Sequence, residues 1–142
     1  MIWWKCWRTM QQTKLFTPHT ANQTLPLVRK IVADILHLGQ EIRAVSAKVG
    51  QDAQDDPMVI KLMDQLEELF EEMEALGCSY KDWNFTLGLV DFPCVIDGKE
   101  VCLCWRSDEE ELKYYHEMDS GYAGRKLIPK EPLLSNKQGH SA

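Results

Sequence analysis

Seven residues in the C-terminal half of this 142-residue chain could do chemistry together: Asp91, Cys104, Arg106, His116, Glu117, Asp119 and Arg125. Gathered in one place they would supply acids, a base, a thiol and two guanidinium groups. His116, Glu117 and Asp119 would then be the candidates for moving a proton. Asp91, Arg106, Arg125 and the backbone around Gly124 would be the candidates for holding a small anionic ligand. The same residues also suit a purely structural network: an Asp91–Arg106 ion pair, a packed His116, and loop-capping bonds from Asp119 and Arg125.

More specific motifs fail on spacing. Cys94, Cys102, Cys104 and His116 have the right softness for zinc, but strand alternation turns Cys94 away from Cys102 and Cys104. A C-x-C pair in a strand also holds its Cα atoms about 6.8 Å apart. No metal and no cofactor is therefore expected. The stretch His116-Glu117-Met118-Asp119-Ser120 has serine where a zinc-protease helix needs its second histidine. Gly121-Tyr122-Ala123-Gly124-Arg125 lacks the Lys-Ser/Thr of a phosphate-binding loop. Asp34, His37 and Glu41 have metal-like spacing but flank or face away from the apolar seam of their helix, so a solvated face is expected there. No nucleophile has a histidine at a motif spacing, which leaves only a pairing of Cys104 with His116 in space.

The elements that must position these residues are readable. Asp97-Gly98 suits a two-residue hairpin turn. Pairing Ile96 with Lys99 then sets Cys94 opposite Val101, Phe92 opposite Leu103 and Val90 opposite Trp105, giving one apolar face. The other face carries Asp91 opposite Cys104, with Arg106 diagonal to Asp91. A third strand is expected within residues 111–118, making a meander. Upstream, Thr17-Pro18 and Asp56-Pro57 each read as a cap followed by a first-turn proline. Val28, Ile35, Ile42 and Val49 repeat every seven residues, and Val59, Leu62, Leu66, Leu69, Met73 and Leu76 follow spacings of three and four. Two antiparallel helices result, 18–49 and 57–76, ended by Gly50 and Gly77. Pro26 predicts a kink in the first. At 1.5 Å per residue the first outruns the second by roughly 18 Å. That overhang needs cover from the C-terminal half or from a second copy of the chain.

Composition narrows the function. Sixteen Lys and Arg against 22 Asp and Glu give a net charge of −6, a field that repels phosphate backbones and anionic membranes. Neither nucleic acid nor membrane is expected as a partner. Five cysteines, an odd number, imply reduced thiols and a cytoplasmic location. Residues 1–14, with three tryptophans, read as a poorly ordered leader, and 129–142 as a disordered tail.

Phe16-Thr17-Pro18, Ala21-Asn22, Leu25-Pro26-Leu27-Val28, Gly88-Leu89-Val90-Asp91-Phe92-Pro93, Asp97-Gly98, Leu103-Cys104-Trp105-Arg106, His116-Glu117 and Gly121-Tyr122-Ala123-Gly124-Arg125 occur in that order. On these residues the chain resembles the bacterial domain of unknown function 2203 family from Leu15 to about Ile128. The resemblance implies a small bacterial cytosolic protein and no reaction. It departs from the family pattern at His19-Thr20, where acidic residues are usual, which puts the strength of the helix start in question; it also departs at Tyr115, where tryptophan is common. The expectation is one α+β domain over 15–128, with a long helical hairpin at 17–77 and a small antiparallel sheet within 85–128. The function expected is a non-enzymatic binding or scaffolding module that self-associates through its helices as a homodimer. The alternative is an anion-binding protein or enzyme using the polar site on the sheet and glycine loop.

Overall fold

A computed structural model of the protein describes residues 14–129; the leader expected at 1–14 and the tail expected at 129–142 lie, but for residues 14 and 129, outside the described residues. Helix α1 spans Pro18–Val49, and helix α2 spans Pro57–Leu76, the two joined by a 3-10 turn at Gly50–Asp55. The hydroxyl of Thr17 accepts from the Thr20 N–H at 3.0 Å, and the Thr20 hydroxyl accepts from the Thr17 N–H at 2.8 Å. Thr20 thus replaces the expected acidic cap with an equivalent reciprocal pair, and the helix start is sound. Asp56 caps α2 through the N–H groups of Met58 and Val59. Gly77, at φ 94°, closes it in the left-handed region. The helix α1 runs through Pro26 as one element.

The sheet is a five-stranded antiparallel meander in sequential order. Its strands are β1 (Ser79–Tyr80), β2 (Leu89–Ile96), β3 (Lys99–Arg106), β4 (Tyr114–Glu117) and β5 (Lys126–Leu127). The central hairpin has the expected register throughout, from Ile96↔Lys99 to Val90↔Trp105. Asp97 at φ 53° and Gly98 at φ 79° make its turn. Two-residue strands extend the expected three-stranded meander on both edges, so the β-rich part begins at Ser79 rather than residue 85.

The apolar face of the sheet packs along the first two-thirds of α1. Ala21, Leu25, Val28, Ile31, Val32 and Ile35 are buried there, against Val90, Phe92, Leu103 and Trp105. The overhang of α1 is therefore covered by the same chain, and its stripe is broader here than a heptad seam because it must meet both α2 and the sheet. At roughly 1.5–3 kcal/mol per fully buried aliphatic side chain, this layer is the main source of stability. The loop between β1 and β2 clamps onto α1. Asp82 accepts the N–H groups of Asn84, Thr86 and Leu87, which holds Phe85 at φ 56°. Phe85 then lies flush on Gly39, where a Cβ would come within 2.3 Å of its ring.

Candidate functional site

Strand alternation sends Val90, Phe92, Leu103 and Trp105 into the core and Asp91, Cys102, Cys104 and His116 to the outer face. Three of these outward groups are nonetheless buried: Asp91, Cys104 and His116. They stand on the three neighbouring strands β2, β3 and β4. Asp91 is paired with Cys104, and Cys102 with His116, so the imidazole reaches diagonally across β3 toward Asp91. His116 Nε2 lies 3.1 Å from Asp91 Oδ1, while His116 Nδ1 lies 2.8 Å from the carbonyl oxygen of Glu117. Both ring nitrogens thus face acceptors.

The segment after β4 provides the cover. The 3-10 turn Tyr122–Gly124 brings Arg125 back over the outer face, where its guanidinium stacks on the Tyr114 ring at 4.0 Å. Its Nη1 and Nη2 donate to Glu109 at 2.8 and 2.9 Å, and Nη2 also donates to the Cys104 carbonyl at 3.1 Å. Nε is buried without a hydrogen-bond partner. Glu109 in turn accepts the Arg106 N–H at 2.9 Å, and its own carbonyl accepts the Trp105 indole N–H at 2.9 Å. Burial acts against the Arg125 charge, and the Glu109 carboxylate outweighs it, so the group is held above its ordinary value.

The expected Asp91–Arg106 pair does not form. Arg106 turns along the strand end to Asp108 at 2.6 Å and to the Tyr122 hydroxyl, because the turn after β3 presents a carboxylate two residues away, within easier reach. Asp91 takes His116 instead. Glu117 sits on the opposite face from His116, paired with Lys99 at 3.1 Å and Lys126 at 3.8 Å. Those lysines hold its carboxyl below the usual range. Asp119 is exposed in the turn beyond, and Gly124 fits against the Ser120 side chain. Of the expected site residues, then, the fold brings Asp91, Cys104, His116 and Arg125 together and leaves Arg106, Glu117, Asp119 and Gly124 around them. Glu109 and Tyr114 complete the group. Glu109 had one signal in the sequence, an acid three residues beyond Arg106 in a short link between strands.

The arrangement argues against thiol catalysis. A relay needs nucleophile and acid on opposite nitrogens of the imidazole. Here Nδ1 is spent on a backbone carbonyl, while Asp91 sits at Nε2 and the Cys104 sulfur lies within 4.8 Å of both ligand atoms. Burial, with the Asp91 charge adding to it, pushes the Cys104 thiol up to about 12. Such a thiol is a poor nucleophile at neutral pH. What the group does offer is an oxygen, a sulfur and a nitrogen donor converging on one point. Cys94 and Cys102 are outside it: Cys94 faces the core, and the Cys102 sulfur contacts the Met118 sulfur at 3.5 Å.

No helix among the described residues is long and apolar enough to cross a membrane. The sequence profile of the family described as uncharacterized conserved protein (DUF2203) matches residues 14–128, and the chain belongs to that family. No curated protein and no solved structure matches the chain.

Proposed function

We propose that the protein is a non-enzymatic binding or scaffolding module of the bacterial cytoplasm that pairs with a second copy of itself through the outer half of its helical hairpin. The observation that carries this reading is where burial stops along α1. Its last buried residue is Gly39. Beyond it Ile42 and Val45 are half-buried, and Val49, Met58, Ile60 and Met63 are exposed, the last two at 47% and 53%.

This outer arm has little besides itself to lean on. Two helical stretches of roughly ten residues are marginal alone in water, because nucleation and chain entropy outweigh one narrow seam. Ile60 and Met63 stand three apart on one stripe of α2, as an interhelical contact requires. A second hairpin laid across the stripe would cover them, at up to about 1.5–3 kcal/mol for each side chain fully removed from water. The cytoplasmic part of the proposal draws support from Cys78, Cys94, Cys102 and Cys104, all free thiols.

The rival reading, an enzyme or anion receptor on the outer sheet face, draws less. Both guanidinium groups it needs are already engaged within the chain, Arg125 by Glu109 and Arg106 by Asp108. Light scattering at tens of micromolar tests the proposal: the expected mass is twice 16.4 kDa. The double variant Ile60→Glu/Met63→Glu should halve that mass with the helical circular dichroism retained. A wild-type chain that is monomeric at that concentration overturns the reading.

A further inference from the structure

We propose that Asp91, Cys104 and His116 form a binding site for one divalent transition-metal ion of the zinc class. Among the described residues these three make a group whose ligand atoms all lie within 4.8 Å of one another, and all three residues are buried. Donors around a tetrahedral zinc at 2.0–2.3 Å stand about 3.3–3.8 Å apart, so shifts of roughly an ångström in side-chain position bring them onto one ion. Each donor comes from a different strand of the most extensively paired part of the sheet. The backbone therefore fixes the site before any ion arrives.

The histidine carries the argument furthest. Nδ1 at 2.8 Å from the Glu117 carbonyl is the hydrogen bond that orients a metal-ligating imidazole, since the proton on Nδ1 leaves the lone pair on Nε2. That lone pair points at Asp91 Oδ1, 3.1 Å away. Two acceptors at that distance in a buried place share either a hydrogen or a metal ion, and a metal ion there would draw one ligand from each. With a divalent ion, the carboxylate and a Cys104 thiolate together neutralise its two charges. Loading then releases the hydrogen shared by Nε2 and Oδ1 and the hydrogen of the Cys104 thiol, two protons for one M²⁺, and the cluster keeps the same net charge.

The donor set chooses the ion. Magnesium and calcium take oxygen ligands almost entirely, so a thiolate and an imidazole in a set of three disfavour them. One sulfur, one nitrogen and one oxygen suit zinc, with cobalt as its spectroscopic stand-in. Arg125 donates to the Cys104 backbone carbonyl at 3.1 Å and closes over that strand, while its own charge is neutralised by Glu109. Three protein ligands leave a fourth position for water or an external donor. The zinc expected to be absent on the strength of Cys94 and Cys102 thus regains a site through Asp91, a residue that the cysteine count does not consider.

The test uses the full chain, stripped with chelator and reloaded with Zn²⁺ or Co²⁺. One equivalent per chain is expected by mass spectrometry of the native protein, together with a thiolate-to-cobalt charge-transfer band and a melting temperature that rises with Zn²⁺ concentration. Cys104→Ser, Asp91→Asn and His116→Gln should each weaken Zn²⁺ binding by about 100-fold or more. Cys78→Ser, a buried thiol elsewhere, should leave it unchanged. If a variant fails to fold, the wild-type cobalt spectrum decides: a band showing one thiolate supports the site, and no band overturns it. Stoichiometric binding that survives Cys104→Ser, or that vanishes in Cys78→Ser, also overturns the proposal. None of these readouts depends on whether the chain dimerises.

Discussion

Replacing Glu109 by Gln removes one charge and almost nothing else, which makes it the sharpest probe of the network under the glycine loop. In the native protein the Glu109 and Arg125 side chains are only 16% and 12% exposed, joined by two hydrogen bonds of 2.8 and 2.9 Å. The amide oxygen of the substituted side chain would still accept the Arg106 N–H, so the turn should persist. Arg125 would be left as a buried cation with one donor, Nε, already unpartnered. Breaking one side of a buried pair costs about 3–5 kcal/mol, and the retained Arg106 bond puts the expectation near 3. For a domain of this size that lowers Tm by roughly 10 °C. Arg125→Gln should cost less, about 2 kcal/mol, because the Glu109 carboxylate keeps the Arg106 N–H. The double variant should cost clearly less than the sum, with a coupling of about 2 kcal/mol in urea denaturation. If each single variant costs under about 0.5 kcal/mol and the two simply add, the pair is screened by solvent. Arg125 is then free for an anion, and the argument against the receptor reading fails.

Two further outcomes follow from close packing and from charge. Gly39→Ala places a methyl 2.3 Å from the Phe85 ring carbon. The intrinsic helix gain of about 1 kcal/mol should be outweighed by displacement of Phe85, leaving a net loss of about 1–2 kcal/mol and faster amide exchange across residues 82–87, whereas a stabilised variant would show that the loop does not clamp α1. Glu117 is held below its ordinary pKa first by its bond to Lys99 and then by the charges of Lys99 and Lys126. A depressed carboxyl stabilises above its unfolded value near about 4.3 and loses that contribution as pH falls through its folded value, so Glu117→Gln should be destabilising at neutral pH and silent in acid; a loss that persists in acid would rule out the charge as its cause.

The helices and the hairpin were legible because their signals are local. Thr17-Pro18 and Asp56-Pro57 mark helix starts by the chemistry of four residues, and Asp97-Gly98 fixes a register that strand alternation carries outward without further information. The failures come where a side chain had a choice among partners in three dimensions. Arg106 is diagonal to Asp91 in the hairpin, but the turn after β3 offers Asp108, and the sheet geometry alone does not say which is nearer. Asp91 meets a residue from two strands away, and that needs the pairing of β4, which a four-residue strand of ambiguous period does not announce. The two edge strands, at two residues each, are too short to carry any period at all. The resemblance marked Gly121 to Arg125 as a unit without saying that its guanidinium returns over Cys104.

Burial on the outer sheet face has a cause that separates the two halves of the functional reading. The helices pack on the inner face, so Asp91, Cys104 and His116 are buried on the outer one without them, where Arg125 donates to the Cys104 carbonyl and stacks on Tyr114. Burying an acid, a thiol and an imidazole under such a cover is costly unless each finds a partner, and an apolar trio would have served a purely structural sheet better. A set whose oxygen, sulfur and nitrogen donors converge on one point is a different design from the helical arm, whose exposed Ile60 and Met63 have no chemistry beyond contact. The arm and the cluster stand on different elements, α2 and the β2–β3–β4 face, and no side chain is needed by both. Association through one therefore has no structural reason to alter the other, and the two proposals, dimer contact and metal binding, stand or fall separately.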